Sequence, residues 1–306
     1  MKIYKLFFFL FVSFLLNSCK HEEPVKNADL VFTLGFDPTQ LRLNSLGEPA
    51  VIPVGHGALT PDMNEMSLHY IELSPNGLTA LGKGEIVYHA EEITSGGSTA
   101  IDFENAIKAG NNDEFFRLNI KDIKPGRYEY IRASVSYQNY HVKYNINEIP
   151  GIGDLLQQEG TIASFVGFNT YIKNVVPRTQ SLTVNSNMPQ GYWVFETNLQ
   201  PPYSGYNKLY FGQAPEGATT VVNPLFGSSP IPAGSCVVTG QLAEPLVIKG
   251  DETEDVTIRL NFSVNNSFEW IDDNGNGQLD FYGTVGTPHE KVVDMGLRGL
   301  IPVIVK

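Results

Sequence analysis

Between Val256 and Val264 the positions 256, 258, 260, 262 and 264 are Val, Ile, Leu, Phe and Val, and every residue between them is Thr, Arg, Asn or Ser. Successive strand side chains leave opposite faces of the sheet, so this two-residue period predicts a half-buried β-strand. The same alternation marks residues 114–123, where Phe116, Leu118 and Ile120 share one face and Arg117, Asn119 and Lys121 the other. Further strands are predicted at 28–36 (ADLVFTLGF), 66–73 (MSLHYIEL) and 84–92 (GEIVYHAEE). A Pro-Gly turn at 125–126 opens the long run RYEYIRASVSYQNYHVKYNI, and strand-like stretches return at 160–172, 191–199, 236–242 and 245–250.

Helical signals are few. Residues 100–110 offer Asp102 as an N-cap and Gly110 as a stop, and residues 152–160 offer Asp154 and Gly160 in the same roles. Each predicts one or two helical turns. Many short strands with turn residues between them argue for an all-β fold, an antiparallel β-sandwich with long loops and one or two short helices. No fixed-period repeat is present. Residues 29–306 are expected to form one sandwich domain, with 147–232 as an elaborated insertion; two β domains dividing near residue 150 are the alternative.

Composition supports a folded chain. Hydrophobic residues make up 42% and charged residues 18%, and the 14 Tyr and 18 Phe suit a pleated surface.

The first residues stand apart. Lys2 and Lys5 precede an unbroken apolar run from Leu6 to Leu16, followed by Asn17-Ser18-Cys19. This is the order of an export signal, and the run is shorter than the roughly 20 residues that a membrane-spanning helix needs. Leu16-Asn17-Ser18-Cys19 resembles the lipobox of bacterial lipoproteins, with Asn17 less usual than Ala or Ser at its place. The resemblance implies a signal peptide over 1–18, cleavage before Cys19, acylation of that cysteine (palmitate among the chains) and a tether over 19–28. Acyl chains bury methylenes at about 0.8 kcal/mol each, so more than one gives stable anchoring to the outer membrane. Glu22 and Glu23 follow the cysteine, similar to the acidic export signal of Bacteroidota surface lipoproteins; the implied address is the cell surface, with a periplasm-facing position or a plain solvated linker as alternatives. Cleavage would leave 19 basic and 33 acidic residues, a net charge of −14, which disfavours nucleic acid as a partner. Cys236 would then be the single cysteine, expected as a buried apolar residue flanked by Val237 and Val238.

Residues 271–281 read IDDNGNGQLDF. With Asp272 as position 1, Asn274, Asn276, Gly277, Gln278 and Asp280 fall at positions 3, 5, 6, 7 and 9, where an EF-type loop places oxygen ligands and its turn glycine. The stretch resembles the short calcium loops of dockerin modules and thrombospondin-type repeats, which implies a structural calcium ion held by Asp272, Asn274, Asn276, Gln278 and Asp280. Position 12, normally a bidentate Glu, is Gly283, so Asp273, Glu290, Asp294 or water must complete the shell. That ligand count predicts an affinity of about 10⁻⁴ to 10⁻³ M. The competing reading is a hairpin turned at Asn-Gly, with Trp270 and Ile271 pairing Leu279 and Phe281.

Three histidines, His69, His89 and His141, lie inside predicted strands beside aromatic residues. Neutral imidazoles bind zinc or copper, so a transition-metal site follows if the three rings face one way; half-buried strand histidines are the plain alternative. Tyr192, Trp193, Tyr203 and Tyr206 sit near Gly and Pro as candidates for stacking on a glycan or packing on a protein ligand. No G-x-S-x-G, H-E-x-x-H, P-loop or dinucleotide fingerprint occurs, so catalysis has no local signature. The expected function is a lipid-anchored surface binding module with a calcium loop, serving nutrient or glycan capture. A metal-binding lipoprotein and a hydrolase are the alternatives.

Overall fold

The computed structural model describes residues 28–215, 217, 219, 222–232, 235–284 and 289–305. The signal peptide, Cys19 and nearly all of the tether lie outside these residues. The chain runs through β1 (Asp29–Asp37), β2 (His56–Leu59), β3 (Asp62–Ser74), β4 (Glu85–His89), β5 (Glu92–Ile93), β6 (Ala100–Asp102) and β7 (Glu114–Asn119). The central part holds β8 (Gly126–Ile149), β9 (Gly153–Phe165), β10 (Asn169–Val175), β11 (Leu182–Pro189), β12 (Tyr192–Thr197) and β13 (Leu209–Gln213). The last part adds β14 (Val237–Ile248), β15 (Val256–Ser263), β16 (Phe268–Ile271), β17 (Asp280–Tyr282), β18 (Val292–Asp294) and β19 (Leu300–Val305). The fold is all-β, in agreement with the alternation of the sequence.

The 24-residue β8 organises the largest sheet. Along one edge it pairs β3 from Tyr130 to His141 and then β17 at Asn145 to Asn147. Along the other it pairs β14 from Gly126 to Ser134 and then β9 from Tyr137 to Ile149. β12 and β13 extend the sheet beyond β9, and β4 beyond β3. A second sheet, β19-β15-β1-β7, packs its apolar face on the first. Leu30, Phe32 and Leu34 of β1 and Ile258, Leu260 and Phe262 of β15 are all fully buried there. β1 and β15 run parallel, as do β6 with β10 and β8 with β17, so the sandwich is antiparallel only in the main. A small sheet, β11-β10-β6-β5, covers Tyr137, Phe165 and Val194 on the other face of the large one. Residues 147–232 therefore feed two sheets: β9, β12 and β13 continue the large one, and β10 and β11 belong to the small one.

The two expected helices are corrected. Residues 100–102 are strand β6, and Asp102 caps a turn through the Glu104 N–H (3.1 Å). Residues 153–165 are strand β9, because the long β8 offers a pairing edge that outweighs weak local helix propensity. Asp154, expected as a helix cap, accepts instead from the Glu148 N–H across the hairpin (2.8 Å). The helical elements among the described residues are two single 3₁₀ turns, Ile120–Asp122 and Ser204–Tyr206.

Candidate functional site

The loop between β16 and β17 is not a hairpin. β16 pairs β2 and β18, whereas β17 pairs β8, so Asp272 to Leu279 link two different sheets. Gly275 and Gly277 adopt φ of 72° and 71°, the left-handed region open to glycine, and this lets the chain fold inward twice within three residues. Asp272 accepts from the N–H groups of Asn276 (3.1 Å) and Gly277 (2.8 Å), and Asn274 Oδ1 accepts from the same Asn276 N–H (3.0 Å). The amides of Asn274 and Asn276 both donate to Asp280 Oδ2 at 2.7 Å. Positions 1, 3, 5 and 9 are thus joined in one continuous polar cluster.

Asp280 is fully buried, and Asn145 (3.0 Å) and Asn147 (2.9 Å) of β8 donate to its other oxygen. Burial opposes its charge, but these four amide donors together hold the carboxyl below its ordinary value. Of the three candidate closing carboxylates, Glu290 is the one the fold brings to the loop: it accepts from Asp273 N–H (3.0 Å) and Asp280 N–H (2.7 Å). Burial pushes Glu290 up to about 7, and the charges of Asp280 and Asp272 add to the shift. Asp294 pairs with Arg298 instead (3.2 Å). Gln278 offers its backbone carbonyl to Trp270 Nε1 (3.1 Å), and its side-chain oxygen accepts from Gln157.

These residues fit a hard cation. The donors are carboxylate, amide and carbonyl oxygens, the class that calcium selects. A half-turn of the Asn274 and Asn276 amides would aim their oxygens inward at the cost of the bonds they accept from the Asn276 and Gln278 N–H groups, and a carbonyl bonded to Trp270 keeps a second lone pair.

The three histidines separate into two and one. His69 on β3 and His89 on β4 have ring centroids 4.7 Å apart. His69 Nε2 is 2.8 Å from Glu92 Oε1 on β5. His141 lies further along β8, opposite Asp62, with Nδ1 3.0 Å from Thr161 Oγ1. Burial lowers the pKa of His69 and Glu92 partly restores it. The position of Glu92 is foreshadowed in the sequence, which reads His-Ala-Glu-Glu from His89.

The aromatic residues expected as a stacking platform do not form one. Tyr192 and Trp193 are each 6% exposed, because β12 lies inside the large sheet between β9 and β13. Trp193 covers Gly212, where a Cβ would collide with its ring. Tyr203 is half-buried against the core, and Tyr206 is the one of the four with an exposed ring. Cys236 is buried beside Gln190 and Thr219, neither of them a base, and burial pushes its thiol up to about 12.

A surface without any aromatic lining was not foreseen. β14 and β19 touch at Gly240, where a Cβ would stand 2.5 Å from the Leu300 carbonyl oxygen. Beyond it they diverge around an open groove of about 690 Å³, bordered by Gln241, Leu242, Ala243 and Glu244 on one side and Ile301, Pro302, Val303 and Ile304 on the other. β19 pairs only β15, so among the described residues no strand is paired with its outer edge. Pro245 and Pro302 were the available sequence signals, since proline inside a strand marks an edge.

Among the described residues no helix is long and apolar enough to cross a membrane. No protein family matches the chain, and neither does any curated protein or solved structure.

Proposed function

We propose that the chain is a lipid-anchored interaction module of the outer-membrane surface, that it docks an extended polypeptide in the groove between β14 and β19, and that calcium stiffens its 272–280 loop. The observation that carries the binding role is the groove itself. It combines six aliphatic or proline positions with a strand edge that has no partner strand among the described residues. An extended segment laid against such an edge gains main-chain hydrogen bonds from the residues flanking Pro302, which has no N–H to donate, and its alternate side chains enter the apolar lining. Sugars are recognised largely by flat aromatic faces, and this lining has none, which favours polypeptide over glycan. Ile301 and Val303 are 52% and 42% exposed, a row that water alone would not select on an edge strand. The anchor rests on Cys19 and the residues before it, and calcium on the polar cluster around Asp280.

The test is selection of short random peptides on the full mature chain, with counter-selection on Val303→Asp. Val303 faces outward, so the variant keeps its core. The expected winners alternate apolar residues and lose binding to the variant; winners that bind both proteins equally would overturn the groove. For the anchor, Cys19→Ala is expected to move the protein from the membrane to the soluble fraction, and continued membrane retention would contradict acylation.

A further inference from the structure

We infer that His69, His89 and Glu92 form a surface-opening site for a divalent transition-metal ion of the zinc class. The three ligand atoms these side chains offer all lie within 4.8 Å of one another. Ligands at zinc bond lengths of about 2.0–2.1 Å stand roughly 3.3 Å apart in a tetrahedron, so small side-chain rotations close the set. Two imidazoles and one carboxylate match the three-ligand zinc sites that keep a fourth position open. Hard cations such as calcium prefer all-oxygen shells, so this donor set belongs to a different metal from that of the 272–280 loop.

The fold builds the site at a seam. β3 and β4 are adjacent in the large sheet, with Tyr70 opposite His89, and β5 begins the small sheet two residues after Ala90. The Ala90 N–H donates to the His69 carbonyl (2.6 Å), which fixes the crossing from β4 to β5 directly over His69. Pairing of β3 with β8 shifts register between Leu68 and Tyr70, and this irregularity frees the His69 ring from strict alternation.

The ligands are also oriented. His89 Nδ1 lies 2.8 Å from the Ala90 carbonyl oxygen, which can only accept, so Nδ1 carries the proton and Nε2 keeps its lone pair for a metal. Tyr70 stacks on the His89 ring with planes 10° apart, and Phe168 flanks His69 at 5.2 Å between centroids. His69 is 7% exposed while His89 is exposed, so the site has a walled inner ligand and an open outer one. The proton that His69 Nε2 shares with Glu92 occupies the line a metal would take, and binding releases it.

The experiment is zinc titration by calorimetry on the full mature chain, stripped of metal and kept in saturating calcium. One equivalent is expected to bind. His89→Ala and Glu92→Gln each remove an exposed ligand and are expected to weaken that binding by roughly tenfold or more while leaving the metal-free melting temperature unchanged. His141→Ala is expected to bind as the wild type does. Copper(II) loaded in place of zinc is expected to give electron spin resonance hyperfine coupling to two nitrogens in the wild type and to one in His89→Ala. Zinc affinity equal in wild type, His89→Ala and Glu92→Gln would overturn the site, and so would a loss seen only in His141→Ala.

Discussion

Replacing Glu290 by Gln is expected to flatten the pH dependence of stability from about pH 5 to 8. Glu290 is 3% exposed, and burial raises its carboxyl from 4.5 to about 7. The folded chain therefore holds, between pH 4.5 and about 7, a proton that the unfolded chain has released. The stability this proton supplies is complete below about 4.5 and is lost as pH rises through about 7. Each pKa unit corresponds to about 1.4 kcal/mol, so the whole shift is worth about 3 kcal/mol. Gln is nearly isosteric with the protonated acid and cannot ionise. Its one carbonyl oxygen keeps one of the two N–H groups, Asp273 or Asp280, that Glu290 holds with separate oxygens, so the variant is less stable by an amount that does not change with pH. The assay is urea unfolding of both proteins across this pH range, with a chelator present so that no cation offsets the charge. Wild type is expected to lose about 3 kcal/mol more than the variant between the two ends. Parallel stability curves would refute the assignment of a buried, repelled carboxyl to Glu290.

Three further outcomes follow from the same geometry. At about 10 mM calcium an affinity of about 10⁻⁴ to 10⁻³ M stabilises by about 1–3 kcal/mol, so the melting temperature should rise by several degrees in wild type and stay fixed in Asp272→Ala; a wild-type temperature that does not move would exclude the calcium loop. Arg132 and Glu72 are both fully buried, and Arg132 also donates to the Thr79 carbonyl (2.6 Å) and Ser229 Oγ (2.7 Å), so Arg132→Met should cost about 3–5 kcal/mol in denaturant unfolding by leaving Glu72 uncompensated. Trp193→Ala should cost about 3–5 kcal/mol and Tyr206→Ala less than about 0.5, whereas two exposed stacking residues would both cost little; equal small losses would return Trp193 to the surface.

Strands were legible because burial imposes a two-residue period, and Ile258, Leu260, Phe262 and Val264 are buried on one face, with Val256 half-buried at the start of the row. The helices were misread because local caps such as Asp102 and Asp154 serve turns and hairpins equally well, and strand pairing decides between them: β6 with β5 and β10, and β9 with β8. The calcium-like spacing was visible because its candidate ligands are nearly contiguous, whereas Asn145 and Asn147 come from a strand more than a hundred residues earlier. Tyr192 and Trp193 were read as strand residues with rings free to stack, yet Gly191 turns the chain into a strand covered on both faces, and neither ring is exposed. The groove was hinted at only by Pro245 and Pro302, because an unpaired edge is a property of topology, and topology depends on which strands meet.

β8 also sets how the candidate sites relate to one another. β14, one wall of the groove, borders Gly126 to Ser134; His69 lies on β3 between the partners of Ser134 and Val135; and Asp280 lies opposite Asn145. At about 3.3 Å per strand residue, the histidine pair and the calcium-type loop stand roughly 35 Å apart along β8. That exceeds the screening length of about 8 Å at physiological salt by several fold, and the two sites share no ligand. Coulomb coupling between two bound cations is therefore negligible, and a twisted strand hydrogen-bonded on both edges offers no second arrangement through which to couple them mechanically. Zinc affinity measured with and without saturating calcium is expected to agree within about twofold. A change of tenfold or more would mean that β8 shifts as a unit when the loop orders, and the independence of the two sites would have to be given up.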